Sequence, residues 1–322
     1  MTPEAITSGD RRALARAITL VESARADHRA EAEALLAALP QREALRIGLS
    51  GTPGVGKSTF IEALGLHLTG LGLSVAVLAV DPSSARSGGS ILGDKTRMER
   101  LSRERAAFIR PSPAGGQLGG IARRTRETVR LCEGAGFDVV LIETVGVGQS
   151  ETMVAQMADV FVLLMAPAGG DELQGVKRGI MEMADILLVN KADGALAPQA
   201  LRTCADYAGA LRLLRKRPQD PEGYPMAATV SATEGTGLAE AWEAITALAE
   251  ARRASGAWAA TRADQARHWF GEELRAEMLG LLTRDPALAR QLSELETEVA
   301  EGRLTAAAAA ARALAPLRAP GA

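Results

Sequence analysis

The residues Gly51 to Ser58 limit the possible folds of this chain more than any other stretch of its sequence. They read Gly-Thr-Pro-Gly-Val-Gly-Lys-Ser, they follow the apolar run Leu45–Leu49, and a helix-like segment begins after them at Thr59. Glycines let the backbone curl around an anion, because they tolerate positive φ angles and carry no Cβ atom. A G-x-x-x-x-G-K-S pattern between a strand and a helix predicts a phosphate loop, in which Lys57 neutralises the β- and γ-phosphates and Ser58 binds Mg²⁺.

The rest of the chain alternates between apolar runs and helical patterns, which predicts an α/β fold with a mostly parallel central sheet flanked by helices. Strands that are buried on both faces are expected as continuous apolar runs. The strand candidates are Leu45–Leu49, Ser74–Val80, Ala106–Ile109, Val139–Ile142, Val160–Met165, Ile186–Val189 and Ala227–Val230. In such sheets ligands bind at the carboxyl ends of the strands, where each motif below lies.

Helical patterns without strands occupy both ends of the chain. Apolar residues three and four apart predict helices over about residues 9–41, which Pro40 ends. Helices are also predicted over Leu238–Arg253 and Ala257–Leu282, with at least one more in Pro286–Ala315. The last helices either fold back on the sheet or pair with another chain. We therefore divide the chain into an N-terminal helical extension (residues 1–43), a nucleotide-binding domain (44–253) and a C-terminal helical region (254–322).

Three carboxylates are candidates for the metal and, together with Lys57, for catalysis. Glu143 ends an apolar run, where an acidic residue normally holds Mg²⁺ through a water molecule. Asp81 ends another such run and could join the Mg²⁺ shell, position the attacking water, or only cap an Asp-Pro turn. Asp94 lies in the Gly- and Ser-rich segment 86–97, which suits a loop that orders around the γ-phosphate and the metal.

Asn190-Lys191-Ala192-Asp193 follows the run Ile186–Val189 and predicts a guanine site. Guanine presents two donors, N1–H and the N2 amine, which the carboxylate of Asp193 can accept, whereas adenine has an acceptor at N1 and nothing at C2. Asn190 is expected to support the loop or reach the base, and the Lys191 stem to lie over the face of the base. Backbone contacts to the guanine O6 edge are expected from three residues after the last apolar run: Ser231, Ala232 and Thr233.

A glycine-flanked polar segment, residues 169–179, follows the run Val160–Met165. It carries Asp171, Gln174 and Lys177. The segment fits a mobile loop near the nucleotide. It fits equally well the beginning of a helix whose acidic residues lie favourably at the amino end.

The composition argues against several kinds of partner. The 322 residues carry a formal net charge of -2, which gives no reason to expect nucleic acid or an anionic membrane as a partner. No apolar run approaches the ~20 residues of a membrane span, and the first ten residues lack the apolar core of a signal peptide. The two cysteines lie far apart in the sequence and fit a reducing compartment. We therefore expect a cytoplasmic nucleotide-binding protein.

Five blocks of the sequence, in order, closely resemble the MeaB/ArgK/MMAA family of GTPases. They are residues 51–59 (GTPGVGKST), 80–84 (VDPSS), 88–98 (GGSILGDKTRM), 143–151 (ETVGVGQSE) and 190–193 (NKAD). The resemblance covers roughly residues 50–237. It implies a P-loop GTPase that forms homodimers through its C-terminal helices. It also implies a chaperone that gates adenosylcobalamin loading into an acyl-CoA mutase, methylmalonyl-CoA mutase first, and protects that enzyme, with an adenosyltransferase as a further partner.

The same resemblance implies roles for the matching residues when GTP or GDP and Mg²⁺ are bound. Contacts with the phosphates are implied for Gly51, Thr52, Pro53, Gly54, Val55, Gly56, Lys57, Ser58 and Thr59. Mg²⁺ is implied near Ser58, Asp81, Asp94 and Glu143, and guanine at Asn190, Lys191, Asp193 and Ser231. Gln174 and Lys177 match the loop through which the family couples partner binding to hydrolysis.

Two other functions stay open at this point. A metallochaperone-type GTPase would need Cys or His ligands, and the sequence has no such cluster. A kinase that serves an amino-acid (arginine/ornithine) transport system corresponds to an older label of the family, and no motif in the sequence separates it from a GTPase chaperone. The partner also stays open, because methylmalonyl-, isobutyryl- and ethylmalonyl-CoA mutases all fit the sequence.

Overall fold

The computed structural model describes residues 2–23, 25–80, 98–111, 118–144, 150–167, 178–214 and 217–315. The chain divides into two compact units, Met1–Gln265 and Ala266–Ala322. The first unit contains the sheet and the N-terminal helices, and the second contains the last helices. The domain boundaries expected after residues 43 and 253 stay predictions.

Seven strands in the described part of the chain form one sheet in the first unit. The strands are β1 Leu45–Gly51, β2 Val75–Val80, β3 Ala107–Arg110, β4 Val139–Thr144, β5 Val160–Met165, β6 Ile186–Val189 and β7 Met226–Thr229. Their order across the sheet is β3-β2-β4-β1-β5-β6-β7. Every neighbouring pair is parallel. Each apolar run that was predicted as a strand forms one, with its ends within two residues of the prediction, so the predicted α/β fold is confirmed.

Helices connect the strands and extend the chain at both ends. They are α1 Pro3–Thr7, α2 Arg11–Glu22, α3 Ala26–Ala38, α4 Lys57–Gly70, α5 Glu99–Arg103, α6 Leu118–Gly134, α7 Ser150–Ala155, α8 Arg178–Met183, α9 Ala197–Arg212, α10 Leu238–Ala254, α11 Ala257–Arg284, α12 Pro286–Ala300 and α13 Ala306–Ala313. The helices predicted near both termini are present. Among the described helices, none is both long enough and apolar enough to cross a membrane.

The main core lies between the sheet and the helices α4 and α10. Every second residue of a strand points to this side, as the period of a β-strand requires. Leu49 and Leu141 of the two central strands pack there with Phe60 of α4 and Ile245 of α10, and each is fully buried. Burying one such side chain contributes roughly 1.5–3 kcal/mol. This apolar layer therefore fixes helix α4, and with it the phosphate loop, against the sheet.

The N-terminal helices have their own apolar cluster against α6. Leu14, Ile18 and Val21 of α2 lie three and four residues apart, so they share one helix face, and they pack with Leu131 of α6. Asp10 caps α2, since its carboxylate accepts hydrogen bonds from the backbone of the first turn. The N-terminal extension is therefore part of the first compact unit.

A network of ion pairs lies at the amino edge of the sheet, opposite to the edge where ligands bind. Arg252 of α10 donates to Asp185 at 2.6 Å and to Asp220 at 2.8 Å, and all three side chains are at least nine-tenths buried. Arg262 of α11 donates to Asp159 at 2.7 Å. Asp159 and Asp185 directly precede β5 and β6, so these pairs attach the helices to the beginnings of two strands. Loss of one partner would leave a buried charge uncompensated.

The second unit consists of the later part of α11 followed by α12 and α13. Its small core joins Leu295 of α12 to Ala309 and Ala313 of α13. Helix α11 carries a row of exposed apolar side chains at positions 270, 274, 278 and 281. These are Phe270, Leu274, Met278 and Leu281, with exposed fractions of 70%, 50%, 44% and 54%. Spacings of four, four and three residues put them on one face of the helix, and we call this row the α11 stripe.

Candidate functional site

The carboxyl ends of four parallel strands meet at one edge of the sheet and carry the predicted motifs. The phosphate loop follows β1, and Glu143 is the second-last residue of β4. Asn190 directly follows β6, and Ser231 is the second residue after β7. This is the edge at which parallel α/β sheets bind their ligands. The topology therefore brings together motifs that are up to 180 residues apart in the chain.

Two glycines of the phosphate loop are required by the fold. Gly56 precedes helix α4 with φ of 90° and ψ of 30°, a left-handed conformation that costs a residue with a side chain more than it costs glycine. A Cβ atom there would lie 2.7 Å from Nδ2 of Asn190. A Cβ atom at Gly51 would lie 2.4 Å from the carbonyl oxygen of Leu164 on the neighbouring strand β5. The loop is therefore packed tightly against both the sheet and the segment after β6.

Lys57 begins helix α4 and folds its side chain back over the phosphate loop. Its ammonium group donates to the carbonyl oxygen of Gly51 at 2.7 Å. Burial lowers the pKa of Lys57 from its ordinary value, while the negative charges of Glu143 and Glu151 act in the opposite direction. Glu151 lies on α7 and is 4% exposed. Glu151 was not predicted as a site residue from the sequence, although it ends the block that begins at Glu143.

Glu143 is buried, with 3% of its surface exposed. It is in register with Leu49 of β1, and residues in register on neighbouring parallel strands point to the same face. Because Leu49 packs in the core with α4, Glu143 points to the α4 side of the sheet. Ser58 is the second residue of α4. Hydroxyl and carboxylate oxygens are ligands that Mg²⁺ prefers, so the two described members of the predicted metal set fit this ion chemically.

Asn190 joins the phosphate loop to the segment after β7. Its Nδ2 donates to the carbonyl oxygen of Val55 at 3.0 Å, and its Oδ1 accepts from the backbone N–H of Ala232 at 3.1 Å. Only 2% of Asn190 is exposed. One buried amide therefore fixes the position of two loops at once. Support of the loop is one of the two roles that the sequence predicts for Asn190, but the sequence does not identify its partners.

Lys191 makes a second connection to the phosphate loop. Its Nζ donates to the carbonyl oxygen of Gly54 at 2.7 Å, so its aliphatic stem extends between the two segments. Among the described residues other than glycine, Lys191 is the one with a positive φ, at 58°. Such a conformation is uncommon for a residue with a side chain, and the surrounding contacts hold it here.

Hydroxyl groups orient the carboxylate of Asp193. Its Oδ2 accepts from Oγ of Ser231 and, at 3.0 Å, from Oγ1 of Thr233. Ser231 is fully buried and also accepts from the backbone N–H of Glu234 at 3.1 Å. An ionised carboxylate has about four acceptor positions, so these contacts leave acceptor capacity for the two donors of a guanine edge.

Several predicted site residues lie outside the described residues. They are Asp81, Asp94, Asp171, Gln174 and Lys177. The predicted metal set is therefore represented here by Ser58 and Glu143, and the predicted coupling loop is not described. In the part of the chain that is described, no three His, Cys, Asp or Glu side chains are grouped so that they could hold a metal ion.

Comparisons with known proteins agree on one family. The model of the family described as methylmalonyl Co-A mutase-associated GTPase MeaB matches residues 14–286. A protein of Caulobacter vibrioides that bears a GTPase name is 54% identical over 312 residues, 96% of this chain and 95% of that protein. The mouse methylmalonic aciduria type A homolog, mitochondrial, is 48% identical over 317 residues, 95% of this chain and 76% of that protein. A solved structure of a LAO/AO transport system kinase is 37% identical, with a TM-score of 0.76 over 98% of this chain and 96% of that chain.

The contacts of Asn190 lead to a first prediction. Asn190→Ala removes a buried donor and a buried acceptor, so the free energy of unfolding should fall by about 1–3 kcal/mol. Nucleotide affinity should fall as well, because two loops of the site lose their common support. Urea denaturation and a calorimetric nucleotide titration measure the two effects.

Asn190→Asp is the matched variant. It keeps an acceptor for Ala232 but turns a carboxylate oxygen toward the carbonyl of Val55, so it should be at least as unstable as Asn190→Ala. An Asn190→Asp protein with the stability and nucleotide affinity of the parent would contradict the bridging role.

Proposed function

Because the chain belongs to the methylmalonyl-CoA mutase-associated GTPase (MeaB) family, we propose that it is a GTP-driven chaperone of an adenosylcobalamin-dependent acyl-CoA mutase. The chain is a GTPase with the P-loop fold, as its relatives and its sheet topology show. The observation that carries the proposal is the family match over residues 14–286, which includes the phosphate loop and the segments after β6 and β7. The mutase in the family description and the methylmalonic aciduria in the mouse relative's name support methylmalonyl-CoA mutase as the partner.

In the proposed reaction the described residues bind and orient GTP. The carboxylate of Asp193 accepts the two donors of guanine, and Lys191 lies over the base. The backbone of the phosphate loop and the ammonium group of Lys57 hold the phosphates. Ser58 and Glu143, together with Asp81 and Asp94, would hold Mg²⁺, which neutralises charge that develops on the phosphates during hydrolysis.

The proposed effect of the GTPase cycle is on the mutase. The nucleotide state would gate the loading of adenosylcobalamin and protect the mutase from inactivation, with an adenosyltransferase as a further partner. Asp171, Gln174 and Lys177 would couple the two proteins, because loops that become ordered on partner binding can position transition-state groups. We propose a cytoplasmic location for the complex.

GTP hydrolysis with and without purified methylmalonyl-CoA mutase tests this proposal. The mutase should accelerate hydrolysis at saturating GTP, and Lys177→Ala and Gln174→Ala should lose most of the acceleration while intrinsic hydrolysis stays nearly unchanged. Variants that are stimulated as well as the parent would exclude the coupling role of these residues. A rate that no acyl-CoA mutase changes would contradict the chaperone proposal itself.

A kinase is the alternative that one observation favours, since the related solved structure is described as a transport system kinase. A kinase transfers the γ-phosphate to a protein, whereas a GTPase transfers it to water. GTP labelled in the γ position distinguishes the two reactions. Label in inorganic phosphate supports the chaperone, and label on a protein acceptor would support the kinase.

We also propose that the α11 stripe pairs with a second copy of the chain. Four large apolar side chains on one exposed helix face are unusual for a surface that contacts only water. Pairing two such faces would bury them without a polar cost. The resemblance noted in the sequence implies homodimers through these helices.

Charge on the α11 stripe should therefore prevent association. The double variant Leu274→Glu, Met278→Glu should sediment as a monomer and still bind GDP, because the nucleotide site lies in the first unit. Leu213→Glu is the control, since Leu213 is 88% exposed and lies just after α9. The pairing is excluded if the double variant associates as the parent does, or if the parent is itself a monomer.

Base choice provides a further prediction. Asp193→Asn replaces an acceptor with an amide that can turn its NH₂ group toward the guanine donors, so GTP binding should weaken by about 2–3 kcal/mol. Xanthosine triphosphate, which has a carbonyl at C2, should bind more tightly to the variant than to the parent. Glu234→Gln removes an exposed neighbouring charge and should leave both affinities unchanged. A preference for GTP that persists in Asp193→Asn would disprove the assignment.

A further inference from the structure

The strand that leads to the phosphate loop, β1, and the strand that carries Glu143, β4, stop pairing with each other at the edge of the site. Their paired register ends at Leu49 and Glu143. Beyond this point β1 continues in register with β5, from Ser50 onward, and β4 continues with β2, at Thr144. Over their last residues, β1 therefore pairs with β5 and β4 pairs with β2.

One side-chain hydrogen bond continues the connection past this point. Oγ1 of Thr144 donates to Oγ of Ser50 at 3.1 Å. Both residues are buried, with exposed fractions of 0% and 1%. A buried hydroxyl that loses its partner costs roughly 1–3 kcal/mol, so this pair strongly favours one separation of the two strand ends.

Each hydroxyl is one residue away from a group of the site. Ser50 directly precedes Gly51, whose carbonyl oxygen accepts from Nζ of Lys57. Thr144 directly follows Glu143, whose side chain points to the opposite face because consecutive strand residues alternate. The pair therefore lies on the face of the sheet opposite to the side chain of Glu143. We expect its effect on the site to pass through the position of the backbone.

We propose that the Ser50–Thr144 hydroxyl pair is a positioning element for GTP hydrolysis, which sets the distance between the phosphate loop and the carboxylate of Glu143. The inference rests on the proposed role of Glu143 toward Mg²⁺. Ligands of a metal ion and the groups around a phosphate must be held within about 0.5 Å of their working positions. Mg²⁺ demands nearly octahedral geometry, so it is sensitive to a small shift of one ligand.

Three variants of the pair test the inference. Thr144→Val keeps the shape of the side chain and removes the donor, Ser50→Ala removes the acceptor, and Thr144→Ser keeps the hydroxyl as a conservative rescue. For each variant, calorimetry measures how GTP affinity depends on Mg²⁺ concentration, and this readout does not depend on turnover. The Mg²⁺ concentration at half-maximal GTP affinity is then compared with kcat, KM for GTP and the melting temperature of the same variant.

Thr144→Val and Ser50→Ala should each raise the half-saturating Mg²⁺ concentration about three- to tenfold and lower kcat by a similar factor, as the loss of one buried hydrogen bond implies. GTP affinity at saturating Mg²⁺ should change less than about twofold, and Thr144→Ser should behave as the parent. In the double variant the effects should not add, because both changes remove the same contact. If Thr144→Val does not fold, Ser50→Ala and Thr144→Ser carry the test alone.

Glu143→Gln separates this inference from the proposed metal role. If Glu143→Gln leaves the Mg²⁺ requirement unchanged, Glu143 does not serve the metal and the inference falls with that role. If Glu143→Gln raises the requirement while Ser50→Ala and Thr144→Val change only the melting temperature, the hydroxyl pair is a packing contact and the inference alone is overturned.

Discussion

The candidate nucleotide site depends on one buried amide, the side chain of Asn190. It donates to the phosphate loop at Val55 and accepts from the segment after β7 at Ala232. A buried polar group is costly unless it is paired, so the amide stabilises the fold only while both loops keep their positions. The surrounding contacts reinforce this arrangement, since Lys191 donates to Gly54 and a side chain at Gly56 would collide with the amide. The predicted phosphate loop and the segments predicted to bind the base are therefore one connected structure.

The two edges of the sheet carry different kinds of groups. The carboxyl edge holds loops, glycines and polar groups with acceptor capacity for a ligand. The amino edge holds the ion pairs of Arg252 and Arg262 with aspartates that precede β5 and β6. These buried ion pairs fix the positions of the helices on the sheet and do not contribute to binding. This division lets the binding edge carry strained and polar groups, such as Lys191 with its positive φ, on a scaffold fixed elsewhere.

The local sequence predicts the elements of this fold well and their distant contacts poorly. Continuous apolar runs identified all seven strands of the described sheet, because strands buried on both faces leave that pattern. The sequence also predicts site roles for the phosphate loop, Asn190 and Asp193, because the chemistry of nucleotide binding demands particular residue types, and these roles stay predictions. The contact of Asn190 with Val55 joins residues 135 positions apart, and no periodicity encodes it. For the same reason the sequence did not predict three other features, which are the pairing of Arg252 with Asp185, the burial of Glu151 and the packing of α2 against α6.

We propose that this connected site selects guanine nucleotides. Calorimetric titration of the unmodified chain with GDP and with ADP, in the presence of Mg²⁺, tests it most directly. The carboxylate of Asp193 can accept two hydrogen bonds from guanine and none from the corresponding edge of adenine, so GDP should bind at least about thirtyfold more tightly, the equivalent of ~2 kcal/mol. Equal affinity for GDP and ADP would contradict the account.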